Sequence, residues 1–188
     1  MKPAVIAIDI QNEYFAPHGK WILPEGEAAL ARINALLASA REIGVPVFHL
    51  QHEELGATSG VFVPGSVGVE IYPGLELLPS ETRITKHFPG SFTQTPLEAN
   101  LRHVEADTVV ICGFMTQLCC DTTTRQADER GYQALFAADG TAARALTMEG
   151  RTIPHQTVQE TTLAVMTQFA QVLSIDQIVE RLRKAASA

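Results

Sequence analysis

The sequence predicts an α/β fold, a three-layer α/β/α sandwich in which helices cover both faces of a mostly parallel, six-stranded sheet. Nearly continuous apolar runs of strand length, such as 4–10 and 107–113, are typical of parallel strands that are buried on both faces. Amphipathic helical segments such as 26–43 separate these runs. A repeated strand–helix order of this kind favours a parallel sheet with helices on each side.

Six segments are predicted as strands and five as helices. The strands are 4–10, 45–51, 82–87, 107–113, 132–138 and 172–175. The helices are 26–43, one that opens at 95–98 and reaches 103, 118–130, 153–170, and one that opens at 174–177 and reaches 186.

Local signals mark several helix ends. Gly44 follows the first helix, and glycine is common at that position because it adopts left-handed backbone angles without a steric penalty. Thr95 and Glu98 form a capping-box pattern, with Pro96 at the first helical position. Ser174 is predicted to cap the last helix.

Length and composition favour one folded domain, residues 1–188, without a linker or a repeat. With 46% hydrophobic residues, the chain is long enough to bury a core without disulfides. Fourteen basic and twenty-one acidic residues give a net charge of −7, and the absence of a basic patch argues against a nucleic-acid partner. No apolar run approaches the ~20 residues of a membrane helix. The N-terminus has no signal-peptide pattern, so we expect a cytoplasmic protein without a membrane partner.

The three cysteines, Cys112, Cys119 and Cys120, lie within nine residues of one another. An odd number of cysteines in one short cluster does not make a disulfide framework, and no C-x-x-C pattern is present. The cluster is more typical of a reducing compartment, and it raises the question of a catalytic thiol.

An acid, a base and a thiol are predicted to meet at one edge of the sheet, because sites form at the carboxyl ends of parallel strands. Asp9 ends the first strand, Lys86 ends the third, and Cys119 follows the fourth. Cys119 lies where a helix is predicted to begin, and the N–H groups of a helix start lower the pKa of a thiol. Asp9 would accept the thiol proton and Lys86 would support the Asp9 charge, which permits nucleophilic catalysis without a histidine.

Three segments resemble motifs of the isochorismatase-like cysteine hydrolases. Residues 9–15, DIQNEYF, are similar to the D-x-Q-N-D-F opening of that family, and residues 86–92, KHFPGSF, are similar to its K-x-x-x-S/A-F segment. Residues 113–127 resemble its G-x-x-T-x-x-C-V-x-x-T-x-R-x-A signature. The motifs occur in the family's order across nearly the whole chain. Cys120 departs from the pattern, which has valine there, and we interpret it as a small buried substitute.

The resemblance implies an enzyme with the isochorismatase-like hydrolase fold and assigns the catalytic roles. Asp9 is the implied acid and base, Lys86 its electrostatic support, and Cys119 the nucleophile. Nicotinamidases, carbamoyl-amine amidases and ureidoacrylate hydrolases of this family cleave C–N bonds of small amides or ureides through a thioester. The backbone N–H groups of Leu118 and Cys119 would bind the oxyanion. A cis peptide bond between Phe114 and Met115 is also implied, as is a homo-oligomer, either a dimer or a tetramer.

Two other functions remain open. Isochorismatases proper cleave a vinyl ether and generally lack the cysteine, so Cys119 favours the amidase interpretation. A non-catalytic or redox-sensing protein with the same fold is the third hypothesis, which rests on the neighbouring thiols of Cys119 and Cys120.

No metal or other cofactor is expected. Nicotinamidases bind a metal through an Asp-x-His pattern and a further histidine after the second strand. Here that position offers His52 and Glu53, and the next histidine is His87, so a full ligand set is not predicted.

The substrate is predicted to lie against residues near the strand ends and the long loop. The Gly- and Pro-rich segment 52–80 is interpreted as a specificity loop or lid. Candidate pocket residues are Gln11, Phe15, His52, Phe88, Phe92 and Thr116.

Overall fold

The computed structural model describes residues 1–56 and 60–187; residues 57–59 of the predicted 52–80 loop lie outside them. The described residues form eight strands: β1 (Pro3–Ile8), β2 (Val47–His52), β3 (Thr82–Lys86), β4 (Thr108–Phe114), β5 (Gln133–Ala142), β6 (Leu146–Met148), β7 (Arg151–Ile153) and β8 (Gln171–Leu173). Six of them form one sheet in the order β3-β2-β1-β4-β5-β8, and all neighbouring pairs in it are parallel. The predicted six-stranded sheet is confirmed.

The described residues form five α-helices, of which the first four lie between strands and the last follows β8: α1 (Gly26–Ile43), α2 (Leu97–His103), α3 (Asp121–Glu129), α4 (His155–Met166) and α5 (Ile175–Ala186). Within the described residues, no helix combines the length and the apolar composition that crossing a bilayer requires.

Two of the three predicted helix-end signals are confirmed. Gly44 ends α1 with a φ of 78°, and Ser174 caps α5 in a capping box with Gln177. The predicted box of Thr95 and Glu98 is wrong. The Thr95 hydroxyl accepts from the Leu97 N–H at 3.3 Å, but the Glu98 carboxylate turns away to pair with the guanidinium groups of Arg102 and Arg130.

Each face of the sheet buries its own apolar core, which is why the strands read as continuous apolar runs. Successive side chains of a strand point to opposite faces. In β1, Val5 and Ala7 therefore join the core under α1 and α5, whereas Ala4, Ile6 and Ile8 join the core under α2 and α3. The three-layer sandwich follows from this alternation.

Three differences from the predicted elements lie at the carboxyl edge of the sheet. The predicted helix 118–130 begins instead with a π-helical turn, Thr116–Cys120, and α3 starts only at Asp121. β5 continues to Ala142, well beyond the predicted end at 138. The short antiparallel hairpin of β6 and β7 was not predicted, since its six residues are almost all exposed and carry no apolar alternation.

The strand order brings the carboxyl ends of β1, β3 and β4 close together at one edge of the sheet. β1 lies between β2 and β4, and β3 lies on the far side of β2. Gly113 permits a close approach of β4 to β1: its φ is 114°, and a β-carbon there would lie 2.1 Å from the Ile8 carbonyl oxygen. Residues that follow Ile8 and Gly113, and Lys86 at the end of β3, thus come together at one edge.

A partly buried ion-pair cluster next to β2 predicts acid sensitivity. Arg41 Nε and His49 Nε2 lie 2.8 and 2.9 Å from the Glu81 carboxylate, so His49 has a partner as expected of a buried histidine. Burial opposes ionisation, but Arg41, the Leu78 amide and His49 outweigh it and lower the pKa of Glu81 to about 2.

Because the folded pKa of Glu81 lies below its ordinary value of 4.5, the ionised carboxylate stabilises the fold above that pH. This stability is lost as the pH falls from about 4.5 towards 2. Between pH 4.5 and 2, we expect the free energy of unfolding of Glu81→Gln to decrease less steeply with falling pH than that of the wild type. Urea denaturation at a series of pH values measures this slope. The exposed control Glu129→Gln should keep the wild-type slope, and an unchanged slope in Glu81→Gln would contradict the assignment.

Candidate active site

Three side chains from three different strand ends meet at the carboxyl edge of the sheet. Lys86 Nζ lies 2.8 Å from Asp9 Oδ2 and 3.4 Å from Cys119 Sγ. Asp9 and Lys86 are fully buried, and Cys119 is 4% exposed. Apart from Lys86 and the Cys119 thiol, no donor among the described residues reaches the Asp9 carboxylate. We call this arrangement the Asp9–Lys86–Cys119 cluster.

The backbone around the cluster is specialised. Asp9 has a φ of 52°, in the left-handed region where strain is common at functional sites. Lys86 Nζ also donates to the carbonyl oxygens of Phe88 and Pro89, at 3.1 and 3.3 Å, so the chain after β3 folds around the ammonium. The lysine therefore has four acceptors and a fixed position.

The electrostatics of the cluster differ from the predicted low-pKa thiol. Burial raises the pKa of Cys119, the Asp9 charge raises it further, and Lys86 opposes the shift only in part. Cys119 lies in the π-helical turn and not at the first turn of α3, so the expected lowering by a helix start does not dominate. Burial alone would lower the pKa of Lys86, but Asp9 and Cys119 outweigh it and raise the value. The resting cluster is thus a neutral thiol beside a carboxylate–ammonium pair.

The peptide bond between Phe114 and Met115, just before the turn that carries Cys119, is cis.

One of the predicted oxyanion donors already makes a hydrogen bond within this turn. The N–H groups of Leu118 and Cys120 both donate to the Met115 carbonyl oxygen, at 3.2 Å each. The Leu118 N–H would have to be shared with a substrate oxygen, and the oxyanion roles of Leu118 and Cys119 remain a prediction.

A cavity of about 370 Å³ opens beside the thiol. This volume suits a small ligand. Four aromatic side chains form its walls, three polar side chains add hydrogen-bonding groups, and Cys119 lies at its floor. Of the predicted pocket residues, His52 and Phe88 line the cavity; the other lining residues are Tyr14, Trp21, Glu54, Leu55, Val61, Phe62, His87, Pro89 and Leu118.

The other four predicted pocket residues do not line this cavity. Phe15 stacks on Tyr72 with ring centroids 3.9 Å apart. Phe92 is buried in the core under α2 and α3. Thr116 is fully buried and donates to Gln159 Oε1 at 2.6 Å. Packing and hydrogen bonds hold these side chains outside the cavity, and the sequence pattern does not predict those contacts.

Gln11, the fourth of these residues, holds the cavity wall in place. Its amide accepts from the His52 N–H at 2.8 Å and donates to the carbonyl oxygens of His52 and Val69, at 2.8 and 2.7 Å. Asn12 donates to the Val67 carbonyl oxygen at 2.9 Å. The segment after Asp9 therefore fastens the 52–80 loop to the sheet.

Glu13 completes this attachment from a buried position. Its carboxylate accepts from the N–H groups of Lys20 and Phe62, at 2.8 and 3.3 Å. Phe62 has a φ of 51°, which is unusual for a bulky residue, so the Glu13 contact helps to hold an otherwise strained backbone. The described part of the loop is a wall of the cavity; its action as a lid remains a prediction.

The donor set near His52 does not fit a metal with three protein ligands. The carboxylate that reaches His52 Nε2 is that of Glu54, at 3.4 Å, and not that of Glu53. Across residues 1–56 and 60–187, no three His, Cys, Asp or Glu side chains converge. Structural and catalytic zinc sites in proteins use at least three such ligands.

We expect chelation to leave the protein unchanged. Prolonged EDTA treatment should alter neither the melting temperature nor any hydrolytic activity. His52 Nε2 and the Glu54 carboxylate, 3.4 Å apart, supply only two ligands, which are too few for tight metal binding. Circular dichroism and a rate assay before and after dialysis test this. Loss of activity that zinc or iron restores would show that His52 and Glu54 recruit a further ligand.

Cys119 is expected to be alkylated first among the three thiols. It alone lines the cavity, whereas Cys112 and Cys120 have no exposed surface. Burial also raises the pKa of Cys112 to about 12. Limiting iodoacetamide followed by peptide mass mapping should therefore label Cys119. Preferential labelling of Cys112 or Cys120 would contradict the accessibility seen here.

Sequence comparisons identify relatives of known and unknown activity. A family model described as an isochorismatase domain matches residues 3–177. The isochorismatase family protein YddQ of Bacillus subtilis is 38% identical over 88% of this chain and 92% of its own. Streptothricin hydrolase of Streptomyces noursei is 31% identical over 74% of this chain, a match that spans 49% of that hydrolase. Nicotinamidase 3 of Arabidopsis thaliana is 28% identical over 74% of this chain and 72% of its own.

Solved structures share the fold over almost the whole chain. An isochorismatase of Pseudomonas putida KT2440 superposes with a TM-score of 0.86 at 33% identity, covering 94% of this chain and 89% of its own. A cysteine hydrolase of Pseudomonas syringae pv. phaseolicola superposes with a TM-score of 0.91 at 25% identity, covering 98% and 93%. The chain therefore belongs to the isochorismatase family of hydrolases.

Proposed function

We propose that the protein hydrolyses a C–N bond of a small amide or ureide through a thioester on Cys119. The observation that carries this proposal is the position of Lys86, whose ammonium lies 2.8 Å from Asp9 and 3.4 Å from Cys119 at the floor of a cavity. A nucleophile, a base and a charge that supports the base are the parts that covalent catalysis needs.

The proposed reaction begins with transfer of the Cys119 proton to Asp9. The thiolate attacks the amide carbonyl carbon, and an electron pair moves onto the carbonyl oxygen. When the oxyanion collapses, the C–N bond breaks and Asp9 returns the proton to the departing nitrogen. An acyl group then remains on Sγ as a thioester.

Water completes the cycle in the second half of the reaction. Asp9 takes a proton from a water molecule, which attacks the thioester carbonyl carbon. The C–S bond breaks, the acid is released, and Asp9 returns the proton to the thiolate. Lys86 stays protonated throughout and balances the charge that alternates between Asp9 and Cys119, consistent with its raised pKa.

The relatives support hydrolysis of an amide as the reaction class. One of them is named a nicotinamidase and another a streptothricin hydrolase. The presence of Cys119 at the floor of the cavity favours the thioester route over a vinyl-ether hydrolysis that needs no thiol.

A screen for released ammonia over primary amides and ureides tests the proposal. We expect turnover of at least one compound by the wild type and its loss in Cys119→Ala. Cys120→Ala is the matched control, because Cys120 is a neighbouring thiol with no surface in the cavity, and it should keep turnover. Ammonia release that survives in Cys119→Ala would contradict the thioester route, and hydrolysis of a vinyl ether with no amide turnover would favour the ether-hydrolase alternative.

A further inference from the structure

The described side chains that line the cavity carry an uncompensated negative charge. Among the described residues that line it, Glu54 is the one carboxylate, and no lysine or arginine side chain lines it. Lys86 lies below the floor and is already compensated by Asp9. A substrate that enters therefore meets a carboxylate with no protein cation opposite it.

His52 does not supply a permanent positive charge to the cavity. Burial lowers the pKa of His52, so the imidazole beside Glu54 is neutral near pH 7. His87 Nδ1 lies 2.8 Å from the Glu53 carbonyl oxygen, which only accepts, so this nitrogen carries the hydrogen in the bond. His52 Nε2, 3.4 Å from the Glu54 carboxylate, leaves that carboxylate free to accept a closer donor.

The cavity walls are aromatic and meet at Phe62. Its ring centroid lies 5.2 Å from that of Tyr14 and 5.9 Å from that of Trp21, both in edge-on arrangements. The negative faces of aromatic rings attract cations, and groups of such rings bind quaternary ammonium ligands. The guanidinium of Arg144 already lies over Trp21, 4.9 Å from the ring centroid, in the adjoining groove.

We infer that the cavity selects amides or ureides whose substituent carries a positive charge, held by the Glu54 carboxylate among the aromatic rings of Tyr14, Trp21 and Phe62. This inference rests on the proposed function and adds the substrate class. The net charge of −7 acts in the same direction, because it favours the approach of cations over anions.

Three primary amides of matched length test the charge selection. They are 4-(trimethylammonio)butanamide, its uncharged carbon isostere 5,5-dimethylhexanamide, and the anionic glutaramate. We expect the wild type to show a kcat/KM for the cation about tenfold above that for the isostere, with glutaramate the poorest, as for one partly desolvated charge contact. A preference for glutaramate would overturn the inference and point to Arg144.

Two variants locate the selection. Glu54→Gln should bring the ratio of kcat/KM for the cation to that for the isostere close to one. Glu53→Gln removes the same charge from the neighbouring residue, whose side chain does not line the cavity, and should keep the wild-type ratio. An unchanged ratio in Glu54→Gln, or an equal fall in both variants, would contradict a contact at Glu54.

A binding measurement separates this inference from the proposed reaction. If no amide is hydrolysed, calorimetry on Cys119→Ala with the cation and its isostere still reports the selection. Tighter binding of the cation that disappears in Cys119→Ala/Glu54→Gln supports the cation site even though the amidase proposal fails. Equal binding of the two compounds, or binding of neither, overturns the cation site.

Discussion

Replacing Lys86 with alanine is expected to lower kcat by about 10²- to 10⁴-fold, the range over which positioned acid–base and electrostatic groups contribute. Asp9 is fully buried, and the Lys86 ammonium at 2.8 Å is the one cation beside it among the described residues. Without that cation, no positive charge balances the negative charge that alternates between Asp9 and Cys119. Lys86→Arg should also fail, because a planar guanidinium does not replace a compact ammonium whose side chain has no exposed surface.

Steady-state kinetics on an amide from the ammonia screen, with circular dichroism as the folding control, measures this effect. Removing one partner of a buried ion pair also costs about 3–5 kcal/mol of stability, so loss of fold must be distinguished from loss of catalysis. Asp9→Asn/Lys86→Met replaces both charges and should recover much of the stability without recovering turnover. Near-native turnover in Lys86→Ala would mean that the lysine has only a structural role.

Replacing Asp9 with asparagine should lower kcat by about 10²-fold or more while making Cys119 easier to alkylate. The Asp9 charge raises the pKa of Cys119, and Lys86 lowers it. Without the Asp9 charge, the thiol should ionise at lower pH beside the remaining ammonium. The same variant loses the group that protonates the departing nitrogen, so the C–N bond should break more slowly.

The alkylation rate of Cys119 and the turnover rate, measured on the same variant, test whether these two effects go in opposite directions. The pH profile of iodoacetamide labelling at Cys119 should move to lower pH in Asp9→Asn, while kcat falls by about 10²-fold or more. Asp128→Asn removes an exposed carboxylate of α3 and should change neither rate. Slower alkylation together with loss of turnover would indicate that Asp9 activates the resting thiol differently, or that the cluster has collapsed.

The elements of the sheet and the members of the cluster were predictable because their signals are local. Strands buried on both faces must be apolar throughout, and the residue after such a run lies at the carboxyl edge. Asp9 follows such a run and Cys119 follows another closely, whereas Lys86 ends β3, the partly exposed edge strand. The helix that follows β4 was harder to place, because the apolar spacing does not distinguish a π-helical turn from the start of α3.

The cavity walls were less predictable because they depend on contacts between distant segments. Phe62 reaches the site through a positive φ and an N–H bond to Glu13, forty-nine residues earlier in the chain. Gln11 emerges at the same edge as Asp9, yet its amide is used by the backbone of His52 and Val69. A polar residue near a strand end thus predicts a site but does not separate a group that contacts substrate from one that positions the loop.

Detection of an acyl group on Cys119 tests the central claim most directly. Wild-type protein mixed with an amide substrate is quenched in acid within the first turnovers, and intact-mass and peptide mass spectrometry follow. The mechanism predicts a mass increase equal to the acyl group less the thiol hydrogen that it replaces. The adduct should lie on Cys119, be sensitive to hydroxylamine and be absent from Cys119→Ala. Turnover of the same substrate by Cys119→Ala, with no adduct on the wild-type thiol, would contradict a thioester mechanism.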